Sequence, residues 1–150
     1  MTLFLSEADS RQLDKAARRA YPEECCGLIV GHSEQGEWVV DRIVESTNLA
    51  LHPERAFEVD TRLRLRLQKE LREWEHGAGL SRAAKPRVIG HYHSHPDAPA
   101  RPSRVDRAQA WEDNMVWLII GVEKTGAPDK QAWLFRDSDT GFEKLPIEIG

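Results

Sequence analysis

The sequence lacks both the cysteine framework of small secreted domains and the long apolar run of membrane proteins. It holds only two cysteines in 150 residues, Cys25 and Cys26. They are neighbours, and adjacent residues rarely reach the geometry of a disulfide bond. The longest apolar run, Met115–Val122, is far shorter than the ~20 residues that a membrane-spanning helix needs. We therefore expect neither a disulfide-stabilised secreted domain nor a membrane protein.

An excess of charge of one sign is also missing. The 21 Lys and Arg residues oppose 25 Asp and Glu residues, which gives a net charge of −4. A dedicated nucleic-acid-binding domain would carry a strong basic excess. The N-terminal residues include acidic Glu7 and Asp9 and do not have the pattern of a signal peptide. These features predict a soluble, cytoplasmic protein that binds neither nucleic acid nor membranes.

Length and composition predict one globular domain over residues 1–150. Domains average roughly 100–200 residues, and a content of 40% hydrophobic and 31% charged residues is near the average for folded domains. Local patterns predict helices at residues 7–20, 61–75 and 103–112. Strands are predicted at residues 2–5, 26–31, 37–45, 56–60, 87–95, 115–122, 131–136 and 141–149. Helices between groups of strands indicate a mixed α/β fold.

The segment 61–75 carries two conflicting patterns. Arginine and leucine alternate over residues 62–67, as expected of a strand. Apolar side chains also recur at helical spacing, at Leu63, Leu67, Leu71 and Trp74. With Asp60 as an N-cap, we interpret the segment as a helix whose arginines form a solvated face; contact with an acidic partner is the alternative. Residues 76–86 then form a loop, either a connector or a lid over a cleft.

The residues that could bind a metal ion lie between positions 90 and 106. His91, His93 and His95 alternate along a predicted strand, so their side chains share one face. His93 and His95 can chelate one metal ion, and Asp106 offers a carboxylate as a third ligand. A catalytic zinc site keeps three protein ligands and one open position for water. The alternative interpretation is a set of surface histidines followed by an ordinary helix cap at Ser103.

These residues resemble the signature of the JAMM/MPN+ zinc metalloproteases. Residues 93–96 read His-Ser-His-Pro, and residues 103–106 follow after six positions as Ser-Arg-Val-Asp. The family also uses a glutamate far upstream, and here Glu24, rather than its neighbour Glu23, stands at the matching position. The resemblance extends over roughly residues 3–122 and includes the segment with Asn48, Pro53 and residues 57–60, as in the short bacterial members.

The resemblance implies a fold, a cofactor and roles for five residues. The fold would be a single-domain, cytidine-deaminase-like MPN fold with a central mixed β-sheet flanked by helices. One zinc ion per chain would bind His93, His95 and Asp106 and lower the pKa of its water toward about 7. Glu24 would transfer the proton from that water to the leaving amine, and Ser103 would hydrogen-bond the oxyanion.

The resemblance also implies a substrate. The small bacterial members act on ubiquitin-fold sulfur-carrier proteins, and the bond cut follows the carrier's C-terminal Gly-Gly. We therefore expect a zinc metallopeptidase that cleaves a peptide or isopeptide bond at that position. Two alternatives remain: a module that binds ubiquitin-like proteins around a structural zinc, and a hydrolase of small peptides without a carrier partner.

Other residue types near the motif have plainer interpretations. Cys25 or Cys26 as a nucleophile would need a free histidine as its base, so we expect Cys26 to pack beside Gly27 as a small apolar residue. His91 is expected to pack beside the cleft, with a role as fourth metal ligand as the alternative. Trp111 lies where it would border a substrate groove. A zinc nucleobase deaminase is disfavoured because its Pro-Cys-x-x-Cys element is absent.

Overall fold

The computed structural model describes residues 1–78 and 85–150. Three helices are described: α1 (Glu7–Ala20), α2 (Thr61–Ala78) and α3 (Arg104–Gln109). The strands described are β1 (Leu3–Leu5), β2 (Cys26–Glu34), β3 (Glu37–Ser46), β4 (Arg87–Pro96), β5 (Met115–Val122), β6 (Asp129–Phe135), β7 (Phe142–Leu145) and β8 (Ile147–Ile149). The mixed α/β fold expected from the sequence is confirmed. No helix in the described ranges is both long and apolar enough to cross a membrane.

The strands form one sheet in the order β7-β6-β5-β4-β2-β3-β1-β8. Strand β4 is parallel to β5, and β1 is parallel to both β3 and β8. The remaining neighbours pair antiparallel, so the sheet is mixed. Strand β4 lies between β2 and β5, and its residues 90–93 are paired on both sides. The centre of the sheet therefore carries the histidine motif.

The predicted strand at 141–149 is wrong as a single element, because Pro146 divides it. Proline has no N–H to donate to a sheet ladder. Strand β7 before it pairs with β6, whereas β8 after it pairs with β1 at the opposite edge of the sheet. Pro146 still accepts a hydrogen bond from the Leu3 N–H at 2.8 Å. A single residue thus links the two edges, which requires the sheet to curl strongly.

The helical interpretation of residues 61–75 is confirmed, and the helix continues to Ala78. Asp60 caps it by accepting the Arg62 N–H at 2.9 Å. Leu67 is 3% exposed and packs with Leu28 and Val30 of β2, whereas Trp74, expected in the same stripe, is half exposed. Of the predicted loop at 76–86, the first three residues are helical, and residues 79–84 lie outside the described residues.

Two further boundaries differ from the sequence expectation. The strand predicted at 56–60 is wrong: only Val59 forms an isolated bridge, with Asn48. The Asn48 side chain bonds the Ala56 carbonyl and the Glu58 N–H and so takes the place of a strand partner. Helix α3 ends at Gln109 rather than at 112, and Glu112 instead pairs with Arg64 of α2 at 2.8 Å.

Close packing between β2 and β4 gives a first prediction. A Cβ atom at Gly27 would lie 2.3 Å from the Val44 carbonyl oxygen and 2.5 Å from the Tyr92 ring. Both neighbours are held by the sheet, so Gly27→Ala should lower the free energy of unfolding by about 1–3 kcal/mol through overpacking. Denaturant unfolding followed by circular dichroism measures this change.

The matched control for Gly27→Ala is Gly36→Asn. Gly36 has a φ of +81°, and a Cβ atom added there would have no neighbour within 4 Å. Asparagine tolerates this left-handed conformation, so the control variant should leave the unfolding midpoint nearly unchanged. Equal midpoints for Gly27→Ala and the parent would show that the sheet yields at this position.

Candidate active site

Two strands and one helix bring the sequence motif together. His93 and His95 lie near the end of β4, and Cys26 at the start of β2 pairs with His93. Glu24 precedes β2 on the connection from α1. The chain leaves β4 at Asp97, which has a φ of +57° and whose N–H bonds the Val122 carbonyl at 2.7 Å. Helix α3 therefore begins beside the end of β4, as expected from the spacing of the motif.

Three ligand atoms converge at one buried point. His93 Nε2 lies 2.9 Å from His95 Nε2, and Asp106 Oδ2 lies 3.3 Å and 3.0 Å from these two nitrogens. The three residues are 0%, 6% and 3% exposed. Zinc bound at 2.0–2.1 Å in a tetrahedron separates its ligand atoms by about 3.3 Å. The observed spacing therefore fits a zinc-sized ion with little movement of the side chains.

The protonation of His95 is set by a backbone contact. Its Nδ1 lies 2.8 Å from the Pro99 carbonyl oxygen, which can only accept, so Nδ1 carries the proton in the neutral ring. Without a cation, burial is outweighed by Asp106 and the Pro99 carbonyl, which raise the pKa of His95, and Nε2 donates to Asp106. Loss of the Nε2 proton leaves a lone pair that can bind a cation. A hydrogen bond from Nδ1 to a backbone carbonyl is typical of metal-ligating histidines. Two nitrogen lone pairs and a carboxylate directed at one point are a donor set that suits a divalent cation.

His93 is oriented by ring packing. Phe57 stacks on it at 4.1 Å between centroids, with planes 12° apart. Among the described residues, no hydrogen-bond partner reaches the buried Nδ1 of His93. No sequence pattern predicts this role of Phe57, because an aromatic residue on an irregular segment has no periodicity that would reveal such a contact.

Asp106 is both a helix cap and a candidate ligand. Its Oδ2 accepts the Ser103 N–H at 2.9 Å, and the Ser103 hydroxyl accepts the Asp106 N–H at 3.1 Å, which completes a capping box. Burial alone would raise the pKa of Asp106, but hydrogen bonds from His93 and His95 outweigh it and hold that pKa well below its ordinary value. The carboxylate is therefore charged at neutral pH.

Glu24 lies beside the two histidines. It is 7% exposed, and its carboxylate oxygen lies within 4.8 Å of ligand nitrogens of His93 and His95. Burial and the charge of Asp106 raise the pKa of Glu24 to about 7, although the His95 ring acts in the opposite direction. A carboxyl group that titrates near neutral pH can both accept and deliver a proton. Glu23, the neighbouring candidate, is exposed.

Ser103 is half-buried at the start of α3. Its oxygen accepts the Asp106 N–H, and a hydroxyl that accepts one bond can still donate its own proton to another. Capping and a bond to an incoming oxyanion are therefore compatible.

The two cysteines do not form an activated thiolate. Cys26 is 1% exposed, and burial raises its pKa to about 12. Burial also raises the pKa of the half-buried Cys25. A nucleophilic cysteine needs a lowered pKa, so both thiols remain protonated at neutral pH. Cys26 packs at the start of β2 beside Gly27, as expected from the sequence.

A groove of about 580 Å³ lies next to the histidines. Phe57 and His91 line it, and Phe57 is the ring that stacks on His93. His91 packs against Phe57 and Trp117 at 5.5 Å and 4.3 Å between centroids. Burial lowers the pKa of His91 to about 3, which keeps the ring neutral. Trp111, which is 79% exposed, stands on the rim.

A mixed sheet with a buried His-x-His and carboxylate cluster defines an α/β protein with a candidate metal centre. The sequence matches the family of prokaryotic homologs of the JAB domain over residues 7–136. This match covers most of the chain, and the protein therefore belongs to that family. The family resemblance inferred from the sequence is confirmed.

Two curated relatives are similar to this chain. The desampylase of Haloferax volcanii is 29% identical over 128 residues, which are 85% of this chain and 79% of that protein. Tail tip assembly protein K of Escherichia phage N15 is 28% identical over 104 residues, or 69% of this chain and 35% of that protein. The chain thus spans about a third of the length of the phage protein.

Solved structures share the fold. A solution structure of a protein from Desulfitobacterium hafniense aligns with a TM-score of 0.81 and 27% identity, covering 99% of this chain and 93% of that one. A protein from Salinibacter ruber aligns with a TM-score of 0.59 and 27% identity, covering 100% and 92%. A JAB1/MPN domain protein from Archaeoglobus fulgidus, 16% identical with a TM-score of 0.52 and coverage of 99% and 97%, supports the fold alone.

The raised pKa of Glu24 gives a prediction for the metal-free protein. The ordinary value is 4.5 and the folded value is about 7, so the folded state binds more protons between these two pH values. Stability must then fall as pH rises through this window. Glu24→Gln removes this titration. The unfolding free energy of the variant minus that of the parent should therefore increase by about 3 kcal/mol at most from pH 4.5 to pH 7.

Denaturant unfolding of both metal-free proteins across this pH range measures that difference. Glu23→Gln is the control, because it removes an exposed carboxylate one residue away and should follow the parent. A constant difference between Glu24→Gln and the parent from pH 4.5 to 7 would contradict a raised pKa at Glu24.

Proposed function

We propose that this protein is a zinc-dependent peptidase that hydrolyses the peptide or isopeptide bond after the C-terminal Gly-Gly of a ubiquitin-like, sulfur-carrier-type protein. The observation that carries the proposal is the convergence of His93, His95 and Asp106 on one point with Glu24 beside them. Membership of the JAB family and the desampylase name of one relative support a ubiquitin-like substrate. We also propose that residues 1–150 act as one domain in the cytoplasm.

The residues of the site divide the chemistry between them. A zinc ion held by His93, His95 and Asp106 would supply Lewis acidity and lower the pKa of a water molecule toward about 7. Glu24 accepts a proton from the attacking water and delivers it to the leaving amine. Ser103 donates its hydroxyl proton to the oxyanion of the tetrahedral intermediate.

A binding module with a structural zinc is the alternative function. Structural zinc sites fill all four positions with protein ligands. Here the fourth group within reach is Glu24, whose carboxylate oxygen lies within 4.8 Å of the His93 and His95 nitrogens. Its pKa near 7 suits proton transfer at neutral pH. The hydrolase is therefore favoured.

Glu24→Gln tests the assigned base. The variant keeps the size of the side chain and all three proposed ligands, so it should bind about one zinc per chain. Turnover should fall by about 10²–10⁴-fold, since general acid–base catalysis typically contributes this much. The assay is cleavage of a ubiquitin-fold carrier extended beyond its Gly-Gly tail, with products identified by mass spectrometry.

Glu23→Gln again serves as the control for Glu24→Gln and should cleave at the rate of the parent. Equal rates for Glu24→Gln and the parent would exclude Glu24 as the base. No cleavage of any extended carrier by the zinc-loaded parent would refute the proposed substrate.

Asp106→Asn and Ser103→Ala separate metal binding from oxyanion stabilisation. Asp106→Asn loses the charged ligand and should lose both zinc and activity. Ser103→Ala should retain zinc and slow turnover by about 10²–10³-fold, which is typical of a lost oxyanion donor. Zinc content is measured by atomic absorption beside the cleavage assay. Full zinc occupancy in Asp106→Asn would remove Asp106 from the ligand set.

A further inference from the structure

The segment between β3 and α2, here called the cleft segment and comprising residues 48–59, is ordered by one side chain. Asn48 donates from Nδ2 to the carbonyl oxygens of Glu24 and Ala56, each at 2.9 Å. Its Oδ1 accepts the N–H groups of Ala50 and Glu58, each at 3.0 Å. Both donors and both lone pairs of the amide are thus used. Asn48 therefore fixes the cleft segment at its two ends and joins it to Glu24.

Glu24 depends on the cleft segment for both of its backbone hydrogen bonds. Its carbonyl accepts from Asn48, and its N–H donates to the Pro53 carbonyl at 2.7 Å. Glu24 lies between α1 and β2, outside any helix or strand. Two sets of contacts therefore set its position relative to the histidines: those of Glu24 itself with the cleft segment, and those of the next residue, Cys25, with Ser94 of β4.

The same segment contacts the histidines. Phe57 stands between Ala56 and Glu58, the two residues whose backbone groups Asn48 binds. Its ring stacks on His93 at 4.1 Å. The Asn48 amide thus binds the backbone of Glu24 and also the backbone on either side of Phe57, the residue that packs on His93.

We propose that Asn48 is a positioning residue for proton transfer by Glu24. It holds the Glu24 carboxylate at its working distance from the histidines and touches neither the metal ligands nor the reacting atoms. This proposal rests on the proposed function, because proton transfer is the step that it serves. A misplacement of about 1 Å is enough to cost about 10²-fold in rate, so loss of this anchor should reduce kcat strongly.

Asn48→Asp is the test, with Asn48→Ala as a second variant that adds no charge. Aspartate keeps the Oδ1 acceptor for the Ala50 and Glu58 N–H groups but puts an acceptor oxygen in place of the Nδ2 group that donates to Glu24 and Ala56. We expect about one zinc per chain, KM within about two-fold of the parent, and kcat lower by about 10²-fold. Combined with Glu24→Gln, Asn48→Asp should cause no further loss, because Asn48 acts through Glu24.

Ser46→Ala is the matched control. The Ser46 hydroxyl accepts the Asp60 N–H at 2.9 Å and donates to the Thr47 carbonyl at 2.8 Å. It thus supports the same connection without touching Glu24. The kcat of Ser46→Ala should stay within about two-fold of the parent, because neither hydrogen bond of the Ser46 hydroxyl involves Glu24 or Asn48.

Hydrogen exchange of the Glu24 amide provides a readout that needs no substrate. In Asn48→Asp, this N–H should exchange at least about ten-fold faster because its anchor on Pro53 is loosened, while amides of α1 and β4 keep their protection. Ser46→Ala should leave the Glu24 amide unchanged. Unchanged exchange in both Asn48 variants would overturn the proposal even if no carrier is cleaved.

Other results of these experiments would contradict the positioning role of Asn48. Normal kcat in Asn48→Asp, in a parent that cleaves the carrier, would refute the positioning role and leave the proposed function intact. Loss of zinc in both Asn48 variants would refute it too, since Asn48 would then support the metal site. A further loss in the double variant would show that Asn48 acts independently of Glu24.

Discussion

The buried Asp106 carboxylate is the constraint on which the site depends. Its Oδ2 lies within 3.3 Å of two imidazole nitrogens and accepts the Ser103 N–H at 2.9 Å. A buried charge is tolerated only where such partners surround it. The first turn of α3 must therefore meet the end of β4, and the loop between them must be short and fixed. The Asp97 bond to Val122 and the Trp133 bond to the Ala100 carbonyl, at 2.7 Å and 3.1 Å, hold that loop against β5 and β6.

The pairing of β2 with β4 supplies the second part of the arrangement. Ser94, between the two histidines, points away from them. Its hydroxyl accepts the Cys25 N–H at 2.8 Å, and its own N–H donates to the Cys25 carbonyl at 3.1 Å. The residue after Glu24 is thereby bound to the strand that carries His93 and His95. This close approach of β2 and β4 also explains Gly27, where a Cβ atom would meet the Tyr92 ring.

Residues with a local pattern were predictable from the sequence. Helix α1, strand β5 and the capping box at Ser103 follow from spacing and residue type, and the two histidines lie two positions apart in one motif. Residues 56–60 suggested a strand, but none forms because the Asn48 side chain, rather than a strand partner, satisfies the backbone there. Phe57 on His93 and Asn48 on Glu24 are contacts between distant parts of the chain. Periodicity cannot reveal such contacts.

The environments of Asp106 and Glu24 shift the pKa values of the two carboxyl groups in opposite directions. Asp106 receives hydrogen bonds from two imidazoles and a backbone N–H, and its pKa is lowered. Glu24 is also buried, but burial and the Asp106 charge dominate and raise its pKa to about 7. One carboxylate thus stays charged and suits a cation, while the other exchanges a proton near neutral pH. Neighbouring carboxyl groups whose pKa values are driven apart are suited to different chemical roles, in keeping with the proposed assignment of Asp106 as ligand and Glu24 as acid–base group. The division follows from the contacts each carboxylate makes, because both residues are acidic and both are buried.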